Sequence, residues 1–395
     1  MEFHSDTIGL EMSIMLFVAL GGYLIASRIR QPAVVGQILL GVVIGPSLLN
    51  WVSYSTFVSN LAQLGATILL FVVGLEFKLQ DLMKIRYAII GLFGVIFPWL
   101  GGYFVAVAFD FEPSRAVIIG VALTATSIAI TADVLRELGR LESAVAQAII
   151  GAAVIDDVLA LLALAVATQI GTGAVEVAPL LITLLKAILF LGVGAFVGAR
   201  YVTKLVYRLD ESTLTKRYPE VVFVFAMMMA FLYSIMAEYM GLSAVIGAFL
   251  AGVSLEGVHL KHGRNFHEGS DFLRIVFGAV FFVSLGILVD LTTFTTALVW
   301  FCIALTVVAV ATKLIGCGLP ALLAGMTVRD SLAVGTGMAP RGEIAMVIAV
   351  IALEAGIIAQ PSYVALVVMS LLTTIIVPLA LRNWIFKDAA ATHNP

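Results

Sequence analysis

The chain has 395 residues, of which 62% are hydrophobic and only 12% are charged, and its mean hydropathy is +1.11. Soluble proteins carry about 25% charged residues, so this composition excludes an ordinary soluble protein and leaves no room for a sizeable soluble domain. The formal net charge of −3 says little, because the positions of the charges matter more than their sum. We expect an all-α polytopic membrane protein that contacts the lipid bilayer and no nucleic acid.

Apolar stretches repeatedly reach the length of about 17–25 residues that a membrane-spanning helix needs. Division of the chain at polar, Gly and Pro residues predicts thirteen spans. They cover residues 9–27, 33–49, 58–75, 87–109, 115–135, 143–169, 177–199, 219–240, 242–256, 271–289, 291–324, 328–354 and 361–381. The ninth is short, and the eleventh is so long that we expect it to tilt or to end early.

The distribution of basic residues predicts the orientation, because loops rich in Lys and Arg stay on the cytoplasmic side of a membrane. Of the 22 Lys and Arg residues, the great majority fall in alternate loops that share one side, whereas Arg115 falls on the opposite side. We expect the protein in the plasma (inner) membrane of the cell. Its amino terminus is expected on the outside and its carboxyl terminus in the cytoplasm. The first twelve residues contain no Lys or Arg, so we expect no cleaved signal peptide.

Two apolar segments recur with the same glycine pattern, which indicates an internal repeat. The aligned glycines are Gly41 with Gly252 and Gly74 with Gly286, at offsets of 211 and 212 residues. This offset places the first span on the eighth, and because a shift of seven spans is odd, the second copy is inverted in the membrane. Spans 1–6 and 8–13 then form an inverted repeat of the kind found in secondary transporters, whose sites lie at the midplane where helices are interrupted.

The repeat also predicts where two helices are broken. The offset of 212 equates Thr126, in LTATSIAIT (123–131), with Met338, in GTGMAPRGE (335–343). The first segment concentrates hydroxyl and β-branched side chains and the second contains three glycines and Pro340, so neither favours a continuous helix. Paired breaks would point half-helix ends and freed carbonyls at one centre. The alternative is that the glycines only allow close helix packing.

Asp156 and Asp157 lie side by side in an apolar run, residues 149–166. A charged side chain at the middle of a bilayer costs roughly 2.5–3.5 kcal/mol, so two in succession indicate a site where a cation or a proton neutralises carboxylates. Neighbouring helical residues point about 100° apart, so one carboxylate can face a cavity while the other contacts another helix. Lys313 is the intramembrane cation that could balance one of them; the alternative is a static Lys313–Asp156 ion pair that only orients helices.

Arg341 and Glu343 lie beside Pro340 at the second predicted break. We expect them to neutralise the exposed helix ends or to pair with each other, and we consider direct contact with the ion less favoured.

The His and Cys residues have no metal-ligand or redox spacing, and we expect no cofactor. Cys302 and Cys317 are about 22 Å apart on one predicted helix, too far for a disulfide, and are expected to be buried thiols. His259, His262 and His267 cluster in one loop; a pH sensor is one interpretation, and a solvated loop is the one we favour.

Six motifs follow one another along nearly the whole chain. They are RIRQPAVVGQILLGVVIGP (28–46), FVVGLE (71–76), TATSIAIT (124–131), GAAVIDDVLALL (151–162), the lysine at Lys313 and GMAPRGE (337–343). In their order and spacing, which make the match specific, these motifs resemble those of the monovalent cation:proton antiporter superfamily, and most closely its NapA-like bacterial sodium/proton antiporters. One departure is Gln37, where many relatives have Glu.

The resemblance implies a fold of thirteen spans with crossed broken helices, and a homodimer. It implies a dimerisation domain (1–84 and 211–290), a linking helix (171–210) and a mobile core domain (85–170 and 291–386). It places Na⁺ or a proton on Asp157, with Asp156 as the partner of Lys313.

The same resemblance places Thr126 and Ser127 at one helix crossing and Glu343 near the other. The aspartate pair with a lysine is similar to the electrogenic members of the family.

The expected function is antiport of Na⁺ (or Li⁺) and H⁺, which compete for the aspartates, by a transporter that is not an enzyme. A potassium/proton antiporter of the same fold is the main alternative, and a cation channel is a weaker one. An intramembrane aspartyl protease is disfavoured, because its two aspartates must face each other from different helices to share a proton.

Overall fold

The computed structural model describes residues 8–75, 77, 84–172, 177–263, 266–289, 296–342, 345, 348–349, 352–353 and 356–387. In these ranges the chain forms helices and short connections, with no β-strand among the described residues. A helix is the structure expected of such apolar runs, because it satisfies the backbone hydrogen-bonding groups of its interior without water.

The helices of the first part of the chain are α1 (Ile8–Arg28), α2 (Ala33–Ile44), α3 (Thr56–Gly74), α4 (Ile85–Ala108), α5 (Pro113–Ala122), α6 (Ile128–Glu137) and α7 (Ala144–Thr172). Those that follow are α8 (Val177–Val197), α9 (Thr203–Asp210), α10 (Thr213–Arg217), α11 (Val221–Tyr239), α12 (Ala244–Ser254), α13 (Phe266–Leu273), α14 (Ala279–Ile287), α15 (Thr296–Lys313), α16 (Leu319–Leu323), α17 (Val328–Gly337) and α18 (Gln360–Ala380). Within the described ranges, four π-helical turns, which widen the helix locally, lie at Gly198–Val202, Arg274–Gly278, Leu314–Gly318 and Leu381–Ile385.

Seven helical stretches in the described part of the chain are long and apolar enough to cross a membrane, so the protein is a multi-pass membrane protein. They are Ile8–Arg28, Thr56–Gly74, Ile85–Ala108, Leu181–Asp210, Val221–Tyr239, Thr296–Leu323 and Gln360–Ile385. Most agree with predicted spans to within a few residues, but the seventh predicted span continues through a π-helical turn to Asp210. The total of thirteen spans stays a prediction.

By their internal contacts, the described residues divide into two compact units. The first comprises those of Met1–Asn60, Lys84–Glu176 and Phe282–Pro395, and the second those of Leu61–Met83 and Val177–Phe281. The candidate ion-site residues all belong to the first unit. The expected dimerisation and core domains differ in which part moves during transport. The division into two compact units does not test that expectation.

Glycine contacts in each unit follow the predicted repeat. In the first unit, a Cβ added to Gly41 would lie 3.0 Å from the Cα of Gly286; in the second, a Cβ added to Gly74 would lie 3.0 Å from the Cα of Gly252. The repeat aligns Gly41 with Gly252 and Gly74 with Gly286, so these are the same contact made by corresponding residues. Small residues allow helices in a membrane to approach this closely, which explains why the glycine pattern is the recurring part of the sequence.

Candidate functional site

In the part of the chain that the structure describes, helices are interrupted at both of the places that the repeat predicts. The first break, at residues 123–127, separates α5 from α6, and the second follows the end of α17 at Gly337 and covers residues 338–342. Pro340 cannot donate a helical hydrogen bond and disfavours a helical conformation at Ala339, which accounts for the second break.

The two breaks contact each other directly. The Ser127 N–H donates to the Pro340 carbonyl oxygen at 2.9 Å, and the Thr131 hydroxyl donates to the Gly337 carbonyl oxygen at 2.6 Å. Gly342 permits the approach, since a Cβ at that position would lie 2.5 Å from Ser127 Oγ. Non-helical backbone at membrane depth is tolerated where protein supplies such partners, so the breaks form one shared crossing.

Arg341 lies at the centre of the second break and is fully buried. Its guanidinium donates to the carbonyl oxygens of Met338, at 3.2 Å, and Ala339, at 2.9 Å. These carbonyls follow the carboxyl end of α17, where the helix dipole favours a positive charge. The neutralisation of a helix end by Arg341 stays a prediction. Glu343 lies outside the described residues.

Asp156, Lys313 and Thr126 form a closed triangle of contacts beside the crossing. Lys313 Nζ lies 2.8 Å from Asp156 Oδ1 in a salt bridge whose two side chains are both fully buried. Nζ also donates to Thr126 Oγ1 at 2.8 Å. The Thr126 hydroxyl is 2.6 Å from Asp156 Oδ2 and 3.2 Å from the Met338 carbonyl oxygen, so Thr126 connects the ion pair to the second break.

Asp157 is also buried, with 2% of its surface exposed. It follows Asp156 on α7, so its side chain leaves the helix about 100° away from that of Asp156. The Asp156 carboxylate, the Thr126 hydroxyl and the Met338 carbonyl bring several oxygen atoms close together, and oxygen is the ligand atom that hard cations prefer.

The histidine loop belongs to the second unit. His259 and His262 are both exposed, as expected for a solvated loop, and the side chain of His267 lies outside the described part. His259 lines a cavity of about 280 Å³ together with Leu75 and Phe266, among others. Cys302 and Cys317 are free and buried, as predicted.

Some features of the site were not predicted from the sequence. Thr126 was expected at the crossing, but its contacts with both members of the ion pair were not. Gly94 of α4 and Cys317 approach the same pair: a Cβ on Gly94 would lie 2.7 Å from Cys317 Sγ. The sequence feature that could have pointed to α4 as part of the site is Pro98, a proline within an apolar span.

Comparison with known proteins identifies the family of this chain. The family described as "Sodium/hydrogen exchanger, transmembrane" matches residues 14–387. The protein is 34% identical to the Na(+)/H(+)-K(+) antiporter GerN of Bacillus cereus, over 93% of this chain and 94% of that one. It is 33% identical to a Na(+)/H(+) antiporter of Enterococcus hirae, over 97% and 99% of the two chains.

A solved structure shares the fold. The sodium proton antiporter MjNhaP1 from Methanocaldococcus jannaschii superposes with a TM-score of 0.65 at 16% identity, covering 96% of each chain. The family match over nearly the whole length, the two bacterial relatives and the crossed broken helices lead to one conclusion: this chain belongs to the sodium/hydrogen exchanger family.

Proposed function

We propose that this protein exchanges Na⁺ (or Li⁺) for H⁺ across the cell membrane, with the cation and the proton competing for Asp156 and Asp157. The observation that carries the proposal is the buried Asp156–Lys313 salt bridge, tied by Thr126 to the crossing of two broken helices. Carboxylates at such a depth are costly unless they are neutralised. Alternate neutralisation by Na⁺ and H⁺ gives the site its transport function.

The ion pair gives this competition a physical basis. Both members of a buried ion pair lose their hydration, and their mutual attraction repays that cost only when the geometry is good and hydrogen bonds satisfy the remaining polar groups. A cation that binds at Asp157 and also contacts the Asp156 carboxylate weakens the attraction between Asp156 and Lys313. Proton binding to the carboxylates has the same effect on their charge, so either species excludes the other.

Coupling follows from the cost of an empty site. Moving two uncompensated carboxylates through apolar surroundings is unfavourable, so the conformational change takes place only with Na⁺ or H⁺ bound. We assign the movement to the core domain (85–170 and 291–386) against the dimerisation domain (1–84 and 211–290) of a homodimer. The amino terminus is outside, the carboxyl terminus is cytoplasmic, and more protons than Na⁺ ions move in each cycle.

The test is exchange by the purified protein in proteoliposomes that hold a pH gradient reported by a fluorescent dye. Addition of Na⁺ or Li⁺ should dissipate the gradient, and Asp157→Asn should abolish the response. Glu211→Gln is the matched control, since it removes a carboxylate that is largely exposed. Undiminished exchange by Asp157→Asn would refute the assignment of the site.

Potassium is the second candidate ion, because one relative carries both Na⁺ and K⁺ in its name. Addition of K⁺ to the same proteoliposomes tests it directly. Clamping the membrane potential with a lipophilic ion separates an electrogenic exchanger, whose rate responds to voltage, from an electroneutral one. A channel would pass cations without a pH-dependent reversal potential.

A further inference from the structure

Helix α4 passes the buried ion pair at Gly94. A Cβ at this position would lie 2.7 Å from Cys317 Sγ and 3.5 Å from both Asp156 Oδ1 and Lys313 Nζ. The first distance is shorter than a side chain tolerates without displacement of its neighbour. Glycine therefore brings the backbone of α4 next to the charged groups of the proposed ion site.

Pro98 alters the hydrogen bonding of this same turn. It lies inside α4 and is buried, four residues after Gly94. In an α-helix the N–H of a residue donates to the carbonyl four residues earlier, and proline has no N–H. The carbonyl of Gly94 is therefore without its usual helical donor, at a depth where lipid offers no replacement.

The groups nearest to Gly94 differ in what they can donate. The Asp156 carboxylate, when ionised, only accepts hydrogen bonds, and the Cys317 thiol is a weak donor, whereas the Lys313 ammonium has three N–H donors. Among the described residues, Lys313 Nζ has two hydrogen-bond partners, Thr126 at 2.8 Å and Asp156 at 2.8 Å. The lysine is therefore the strong donor beside this turn, and the described residues leave one of its three N–H groups available.

We propose that the Gly94 carbonyl is the acceptor that holds the Lys313 ammonium when Asp156 turns to the transported cation. A buried ammonium that loses its carboxylate is left uncompensated, which is strongly unfavourable, and a carbonyl with no helical donor reduces that cost. Pro98 is then a positioning residue: by keeping this carbonyl unbonded, it determines how easily Na⁺ displaces Lys313. The inference rests on the proposed function and specifies how its site releases the lysine.

The test is Pro98→Ala, which restores an N–H that competes for the Gly94 carbonyl. Loss of a hydrogen bond to a charged group predicts about a tenfold rise in the KM for Na⁺, with the maximal rate within about twofold of the original protein. A general defect in folding would lower the rate instead. Pro378→Ala is the matched control, because Pro378 is a buried proline inside α18 of the same unit; its KM should stay within about twofold.

Each outcome has a definite meaning. An unchanged KM in Pro98→Ala overturns the inference, as does an equal rise in both proline variants. Pro98→Gly restores the same N–H and should behave as Pro98→Ala does. Replacing a helix-interior proline should stabilise α4, so aggregation of both Pro98 variants also counts against the inference.

The Asp157→Asn variant distinguishes failure of the proposed function from failure of this inference. If Asp157→Asn retains exchange, the proposed function fails. If it loses exchange while Pro98→Ala keeps its KM, only this inference fails.

Discussion

Thr126 and Met338 are 212 residues apart in the chain, and the hydroxyl of the first lies 3.2 Å from the carbonyl oxygen of the second. The separation is the offset that the internal repeat predicts, so corresponding residues of the two copies meet at the crossing. The same threonine contacts Lys313 and Asp156. Thr126 therefore belongs both to the repeat and to the contacts around the Asp156–Lys313 ion pair. A substitution of Thr126 tests the importance of both.

Thr126→Val should impair cation binding more than it impairs folding. The change keeps the shape of the side chain but removes the hydroxyl that hydrogen-bonds to both Asp156 and Lys313. A hydrogen bond to a charged group contributes about 1.5–3 kcal/mol. We expect the KM for Na⁺ to rise about tenfold or more in proteoliposomes.

Thr306→Val is the control for this experiment. Thr306 is buried on the same helix as Lys313, and its hydroxyl donates to the Cys302 carbonyl within that helix. Its KM should stay close to that of the unmodified protein. Equal effects of the two variants would mean that the loss of any buried hydroxyl in this unit raises the KM, and would contradict a specific role of Thr126.

Asp156 and Lys313 should be coupled energetically. Removing one member of a buried ion pair leaves the other uncompensated and costs about 3–5 kcal/mol, whereas replacing both is often neutral. We therefore expect Asp156→Asn and Lys313→Gln each to lower thermal stability in detergent, and the double variant to be more stable than the sum of the two losses predicts. The measurement is a double-mutant cycle of unfolding free energies.

The exposed pair Lys261–Glu211 provides the reference for that cycle. Its atoms are 3.1 Å apart, but its side chains are 71% and 65% exposed, and such pairs contribute about 0–1 kcal/mol. Glu211→Gln should leave stability nearly unchanged. A coupling energy for Asp156 and Lys313 no larger than that of the exposed pair would contradict the prediction that each buried charge depends on the other.

Gly342→Ala should disturb the crossing, because the added Cβ would lie 2.5 Å from Ser127 Oγ and 2.7 Å from Ser127 Cβ. We expect lower stability and lower exchange from this variant. Ser127→Gly in the same chain removes both atoms and should recover the stability. Recovery is read from the thermal midpoint in detergent; failure to recover would place the damage in the backbone of residues 338–342 instead of in the contact.

Prediction from the sequence succeeded where the membrane restricts the chain most. The long helices and the two breaks could be predicted because lipid supplies no hydrogen bonds, so apolar runs must be helical and Pro340 must interrupt one. The extent of α8 and α9 to Asp210 was not predicted, because a π-helical turn continues the helix through a segment whose polar residues suggested an end.

The charged site was predictable only in part. Asp156, Asp157 and Lys313 stand out because ionisable residues in apolar runs are costly. The partners of Lys313 did not follow from that argument, since a helix can turn either aspartate toward it. Gly94 gave no signal at all, because a glycine in a membrane helix is common and its role depends on what lies opposite.

The order of residues by itself therefore determined a multi-pass helical protein, an internal repeat, its two interruptions and a set of charged residues within apolar runs. These depend on hydropathy, on proline and glycine, and on the cost of charge in lipid, all of which act locally along the chain. Only the tertiary structure decided that Thr126 joins Lys313 to Asp156, that the two breaks bond to each other, and that α4 brings Gly94 beside the pair. Such contacts join residues far apart in the chain, and helix rotation and close packing determine them.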